Sequence, residues 1–438
     1  MNTADSERLS SALDQLGLAP TTSKEDADVV ILNTCVVRQS AENKAVGTLT
    51  SLKPTKLKSP DKVFALMGCM VGPDTSKLKK QFPYVDVFMP PQQFKPLVDL
   101  LADRLGVDPE GCIGPLHAKP NVSTYIPIIH GCDKFCSFCI IPYRRGREVS
   151  RSIAEIVEEA NKLVDRGVKE ITLLGQNVDS YGHDLPGHVN LANLLESVSN
   201  VHGIERIRFL TSHPNDMDDS IIEAVGQLDK VCENINLPFQ AGDDEVLRNM
   251  RRGYTNKEYR ELIDKIRSKI PNVTLNTDLI VGFCGETEEQ FNRTLEMIDD
   301  IKFDKVHSAA YSTRVGTIAD RKMVDDVPEE TKKNRLLKIN SLQESILTKI
   351  NSKLIGKTQE ILIEGTKNHT QFGRNRNDKI VFITKNGPKE SLTPGKLINV
   401  KIEETSPWYL KGSAVELKSH QRVKVTPITN EVLKWLPK

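Results

Sequence analysis

The sequence has no run of about 18 or more apolar residues, which excludes a membrane-spanning helix. Its opening, MNTADSERLS, lacks the basic, apolar and cleavable succession of a secretory signal. A cytoplasmic protein is the expectation, and there clustered cysteines read as metal ligands rather than disulfides. No low-complexity segment and no solenoid-period repeat occurs. Charge of one sign is missing overall, since the net charge is +1. That balance hides a polarity: Lys353 to Lys438 hold 16 basic and 8 acidic residues. Such asymmetry suggests a nucleic-acid-binding module, with a solvated surface as the plainer alternative. Aromatic residues are scarce, and both tryptophans, Trp408 and Trp435, lie in this same stretch.

The 438 residues, 38% of them hydrophobic, suffice for two or three soluble domains. Residues 1–92 read as a small α/β unit. A helical pattern near Ser6–Leu18 precedes the apolar runs Val29–Leu32, Val63–Met67 and Tyr84–Phe88. Residues 93–121 read as a helix and a linker. Across 122–356, strand-like runs at Glu170–Leu174, Ile207–Leu210, Asn234–Pro238, Val273–Val281 and Lys305–Tyr311 alternate with helical segments. Five or six such repeats imply parallel strands with right-handed crossovers. The expected fold is α/β: a full or partial (β/α) barrel with its chemistry at the C-terminal strand ends. Residues 357–420 switch to short β-type runs, as in an OB-like barrel, and 421–438 form a tail.

Eight cysteines stand at positions 35, 69, 112, 132, 136, 139, 232 and 284. Cys132, Cys136 and Cys139 form a C-x3-C-x2-C triplet within one short segment. Three thiolates in one loop can bind three irons of a [4Fe–4S] cluster. The fourth iron then keeps an open position, the mark of a catalytic site. S-adenosylmethionine can fill it through its amino and carboxylate groups, with Phe138 beside the adenine. A zinc site is the alternative, but no second cysteine pair of matching spacing accompanies the triplet.

The triplet resembles that of the radical S-adenosylmethionine superfamily, and GCDKFCSFCIIPYRRGREVSR resembles the methylthiotransferases within it. DADVVILNTCVVRQSAENKA and MGCM resemble that family's N-terminal domain, of Rossmann-like kind. LLGQNVDSYG, RFLTSHPNDM, NLPFQAGDDEVLRNMRRGYT, NTDLIVGFCGETEEQF and AYSTRVGT resemble its core motifs, and the C-terminal β module resembles the RNA-binding TRAM domain. The loop Gly175–Gly182 is similar to the branch acting on isopentenylated adenosine in tRNA. The resemblance implies methylthiolation of C2 of N6-isopentenyladenosine beside the anticodon. A threonylcarbamoyl-adenosine substrate is one alternative, and an RNA-binding radical enzyme unable to insert sulfur is another. It further implies two [4Fe–4S] clusters, S-adenosylmethionine, a tRNA anticodon loop as partner, and a donor such as flavodoxin or ferredoxin. A monomer is expected.

The second cluster would sit on Cys35 and Cys69 with a third cysteine. The family carries that cysteine in a motif like G-C-Q-M-N, whose end aligns with Met1-Asn2; a mis-assigned start is the favoured explanation, with truncation and real loss as the alternatives. Cys112, in the linker, is a weak substitute. Cys284 stands where the family shows proline, and Asn236 where it shows histidine. Cys232 and Cys284 read as small buried hydrophobes. By position, Gln176, Asn177, Ser212, Gln240 and Asp278 are candidates for holding S-adenosylmethionine. Arg144, Arg145, Arg147 and Glu148, just after the triplet, shape the active site, touch RNA, or form a solvated turn. Phe372, Phe382, Trp408 and Tyr409 stack on bases or fill the small β core.

Overall fold

The computed structural model describes residues 1–36, 39–72, 74–108, 121–385 and 392–415. Cys112, most of the linker and the tail lie outside them. No described helix is long and apolar enough to cross a membrane.

The N-terminal domain is a three-stranded parallel sheet of Val29–Thr34, Val63–Gly68 and Val87–Met89, in that order. The central strand is buried along its whole length, as its unbroken apolar run VFALM requires. Helices Asn2–Gln15 and Lys95–Leu105 pack on one face through Leu9, Ala12, Leu97, Val98 and Leu101.

The core follows the expected alternation. Ser123–Pro127, Glu170–Leu174 and Arg206–Leu210 pair in parallel. A bridge from Ile207 to Val231 leads on to Asn234–Asn236, Thr274–Val281 and Lys305–Ala310, again parallel. Six strands therefore follow one another in chain order. Among the described residues no pairing joins the last to the first, so the barrel is partial. Capping boxes start its helices: Ser152 with Glu155, Thr255 with Glu258, Thr287 with Gln290.

The C-terminal module is a closed five-stranded barrel of Thr358–Lys367, Thr370–Asn375, Ile380–Lys385, Leu410–Val415 and Leu397–Thr405. Its core is aliphatic: Ile361, Ile363, Val381, Ile383, Val400, Ile402 and Leu410. One turn of this module stoppers the base of the larger barrel. Arg206 donates to the Arg374 and Glu360 carbonyls at 2.6 and 3.0 Å. Arg208 donates to those of Arg376 and Asn375 at 2.6 and 2.8 Å. Arg376 pairs with Glu233, and Lys379 with Asp304. These core partners lie just before the strands (Glu233, Asp304) or within the first three residues of one (Arg206, Arg208), so the C-terminal ends stay open for chemistry. Part of the module's positive charge is thus consumed in docking.

Candidate active site

The cysteine triplet lies on a loop tied down on every side. Gly131 opens it at φ +77°, and a Cβ there would stand 1.9 Å from the Arg147 carbonyl oxygen, so only glycine fits. The Cys132 amide donates to Gly146, and Asp133 and Glu148 exchange amide-to-carboxylate bonds. Ser137 donates its amide to Met250 and its hydroxyl to Asn249, and its carbonyl accepts from Ala319. Lys134 reaches Asp216 at 2.6 Å. Burial pushes the Cys132 thiol up to about 11 and the Cys139 thiol up to about 12, in each case with the neighbouring Cys136 adding to the rise. Cys139 is half-exposed as a residue, yet its thiol is enclosed. Three mutually repelling, desolvated sulfurs gain most from a cation that takes their protons' place. This donor set fits three irons of a [4Fe–4S] cluster.

Cys35 and Cys69 follow Thr34 and Gly68, which are register partners on adjacent strands, and the Cys69 amide donates to the Thr34 carbonyl at 3.1 Å. Burial raises the Cys69 thiol, against a hydrogen bond from Arg145. Arg145 also donates to Asn2 and to Asp5 at 3.1 and 3.2 Å. Arg314, just after the last strand of the barrel, carries its charge near Glu42 and Cys35. Cys69, Met70 and Val71 share one apolar cluster with Cys132, Ile140, Ile141 and the partly buried Cys139. The fold thereby brings Cys69 of one cysteine set into the same apolar cluster as Cys132 and Cys139 of the other. Two thiols make only a partial ligand set for a second cluster.

The candidate cofactor residues do not behave alike. Asn177 is 2% exposed and donates to Asp216 at 2.6 Å, while its Oδ1 is buried without a partner. The Ser212 hydroxyl is occupied: it donates to Asp179 at 2.9 Å. Asp278 accepts from Asn236 at 3.0 Å inside the barrel, which gives that departure from the family pattern its partner. Gln240 takes φ +69° and bridges to Leu279, so its half-buried side chain sits on a constrained turn. Gln176 and Phe138 are half-buried, and Phe138 packs on the barrel core. Thr211, β-branched at φ +74°, adds strain beside them.

Sequence reasoning missed His213. Burial and the Arg252 charge push its imidazole down to about 2, so it is neutral. Its Nδ1 accepts from the Asn215 amide at 3.3 Å, which leaves the proton on Nε2, buried and without a partner. An orphan donor and the orphan Asn177 acceptor thus belong to neighbouring strand ends, next to the cluster loop through Asp216. They fit a small ligand with polar groups of both kinds, as S-adenosylmethionine has. Asp179, also missed, is fully enclosed and pushed up to about 8 by burial.

Of the charged residues after the triplet, Arg145 is buried against Asp5, whereas Arg147 is exposed and pairs with Asp133. Cys232 is buried as expected, but Cys284 is half-exposed, its thiol bonded to Tyr311. In the β module, Phe372, Phe382 and Tyr409 lie outside the aliphatic core as a half-exposed row, with ring centroids 6.2 and 5.6 Å apart. Trp408 is exposed, and Lys411 lies over the Tyr409 ring.

Residues 126–298 match the Radical SAM superfamily, residues 1–90 the uncharacterized protein family UPF0004, and residues 352–415 the TRAM domain. A tRNA-2-methylthio-N(6)-dimethylallyladenosine synthase of Dehalococcoides mccartyi (strain CBDB1) is 46% identical, over 95% of this chain and 96% of the relative. The synthase of that name from Herpetosiphon aurantiacus is 45% identical over 95% of both chains. Among solved structures, the radical S-adenosylmethionine methyltransferase TsrM of Kitasatospora setae shares the fold at TM-score 0.52. It is 14% identical, with 70% of each chain covered. Identity at this level along nearly the whole length, with all three domains in order, places the chain in the radical S-adenosylmethionine family of tRNA-2-methylthio-N(6)-dimethylallyladenosine synthases.

Proposed function

We propose that this enzyme attaches a methylthio group to C2 of N6-isopentenyladenosine beside the anticodon of tRNA. The observation that carries this reading is the shared apolar cluster that holds Cys69 together with Cys132 and Cys139. When bound, the [4Fe–4S] cluster and S-adenosylmethionine supply radical chemistry, which an unactivated C–H bond such as that at C2 requires. The chain itself binds and positions. Asn177 and His213 offer an acceptor and a donor to the cofactor. Lys134 and Asp216 tie the cluster loop to the strand end that carries Asn177. The aromatic row Phe372, Phe382 and Tyr409 offers stacking faces to unpaired loop bases, and the lysines around it attract phosphates. The electron comes from a small carrier protein of the flavodoxin or ferredoxin kind, and the chain acts as a monomer.

Nucleoside analysis of tRNA from a deletion strain tests the substrate. The methylthio-isopentenyl nucleoside should vanish and return on complementation. Its persistence would refute the assignment, and loss of the threonylcarbamoyl counterpart would favour the other tRNA substrate. Iron content after anaerobic reconstitution tests the second cluster. About eight irons per chain support it. About four, with cofactor cleavage but no methylthio product, would favour an RNA-binding radical enzyme without sulfur insertion.

A further inference from the structure

Six described arginines with enclosed side chains can be compared by what balances their charge. Arg145 faces Asp5, Arg206 faces Glu360, Arg208 faces Glu170, Arg314 faces Glu42 and Arg335 faces Glu286. Arg252 differs. It is 5% exposed, and its hydrogen bonds go to the Tyr254 hydroxyl at 3.1 Å, the Pro238 carbonyl at 3.2 Å and the Cys136 sulfur at 3.2 Å. Among the described residues no carboxylate pairs with it. Nε, Nη1 and Nη2 are each engaged, so the guanidinium is fixed in place. The Tyr254 hydroxyl is itself held by the Phe239 carbonyl at 2.9 Å. Lys134, the other cation of this region, is neutralised by Asp216.

A buried cation without an anion is strongly unfavourable. Two groups in contact with Arg252 can become anions. The Tyr254 phenol keeps its proton to donate to the Phe239 carbonyl, which leaves the Cys136 sulfur, as an iron-bound thiolate. We propose that Arg252 is a positioning residue that raises the reduction potential of the cluster held by Cys132, Cys136 and Cys139. This rests on reading those cysteines as the ligands. The physical reason is that a fixed positive charge, with a hydrogen bond to a ligating sulfur, favours the state carrying one more electron. The segment 249–254 is bound to the cluster loop twice more, through Ser137 to the Asn249 and Met250 carbonyls. Those bonds hold the guanidinium at its sulfur. The chain reaches this point by a left-handed residue, Arg251 at φ +58°, and by Gly253 at φ +75°.

The test uses the full chain carrying Cys35→Ala and Cys69→Ala, so that the triplet is the source of the iron signal. Iron content and potentiometric titration by electron paramagnetic resonance are compared for the parent, Arg252→Lys and Arg252→Gln. The expected result is about four irons in each. In Arg252→Gln the reduced-to-oxidised ratio at fixed potential should fall at least tenfold, about 59 mV for one electron. Arg252→Lys, which keeps the charge, should lie nearer the parent. An unchanged potential in an iron-loaded Arg252→Gln protein would overturn the proposal. So would failure of both variants to load iron, because that outcome assigns the arginine to loop assembly. A parent that takes up no iron overturns the ligand reading itself, and the proposal with it.

Discussion

Arg206→Met removes the charge that fastens the C-terminal module to the base of the barrel and leaves a side chain of similar length. Arg206 is fully buried, and its bonds to the Arg374 and Glu360 carbonyls are 2.6 and 3.0 Å long. Hydrogen bonds from a charged donor contribute about 1.5–3 kcal/mol each. The third bond, to the half-exposed Glu360 carboxylate, adds about 0–1 kcal/mol because solvent screens it. Two buried carbonyls lose their donor, so the expected cost is about 3–7 kcal/mol. That cost falls on the interface, because the module has its own closed barrel and aliphatic core. The variant should therefore release the module without unfolding it. Calorimetry should resolve two transitions, and hydrogen exchange should rise first at the amides of residues 374–378. Affinity for tRNA should fall while cofactor cleavage without tRNA persists. A single transition at the parent temperature with unchanged exchange would refute this account of the interface.

Three further outcomes follow from the geometry. Asp179 keeps its proton in the fold up to about pH 8, whereas in the unfolded chain it ionises near 3.8. Its stabilising contribution is full below about pH 4 and is lost as pH rises to about 8, at up to about 1.4 kcal/mol per pH unit. Asp179→Asn, which can still accept from His213 and donate to Ser212, should flatten the fall in melting temperature between about pH 5 and pH 8; an undiminished fall would sink the idea. Gly131→Ala must move the Arg147 backbone or abandon φ +77°, so iron uptake should drop sharply while circular dichroism stays native. Normal uptake would show that the loop tolerates the clash. Cys132→Ala should lose about four irons per chain and all cleavage of S-adenosylmethionine; retention of either would remove Cys132 from the ligand set.

Legibility in the sequence followed locality. Helix Ile153–Asp165 and strand Glu170–Leu174 are readable to the residue, since a capping box opens the one and an apolar run fills the other. Strand Thr370–Asn375 escaped because TQFGRN has little apolar character, although the turn before it places Asn368 and His369 at positive φ. Ser212 looked like a cofactor ligand because it follows a strand. Its actual partner, Asp179, is 33 residues away, and no pattern announces that bond. Asp278 and Asn236 were likewise separate observations until adjacent strands joined them.

The spacing of Cys132, Cys136 and Cys139 by itself marked the candidate cluster site, because thiols on one short loop are brought together by covalent connectivity. Repeating strands and helices likewise determined the parallel barrel, since a right-handed crossover leaves few other arrangements. Only the tertiary structure decided what stands beside those sulfurs. Cys69 and Arg145 meet from separate domains, and Arg252 reaches Cys136 across 116 residues of chain. Such contacts depend on how buried faces close upon one another, which local spacing does not encode.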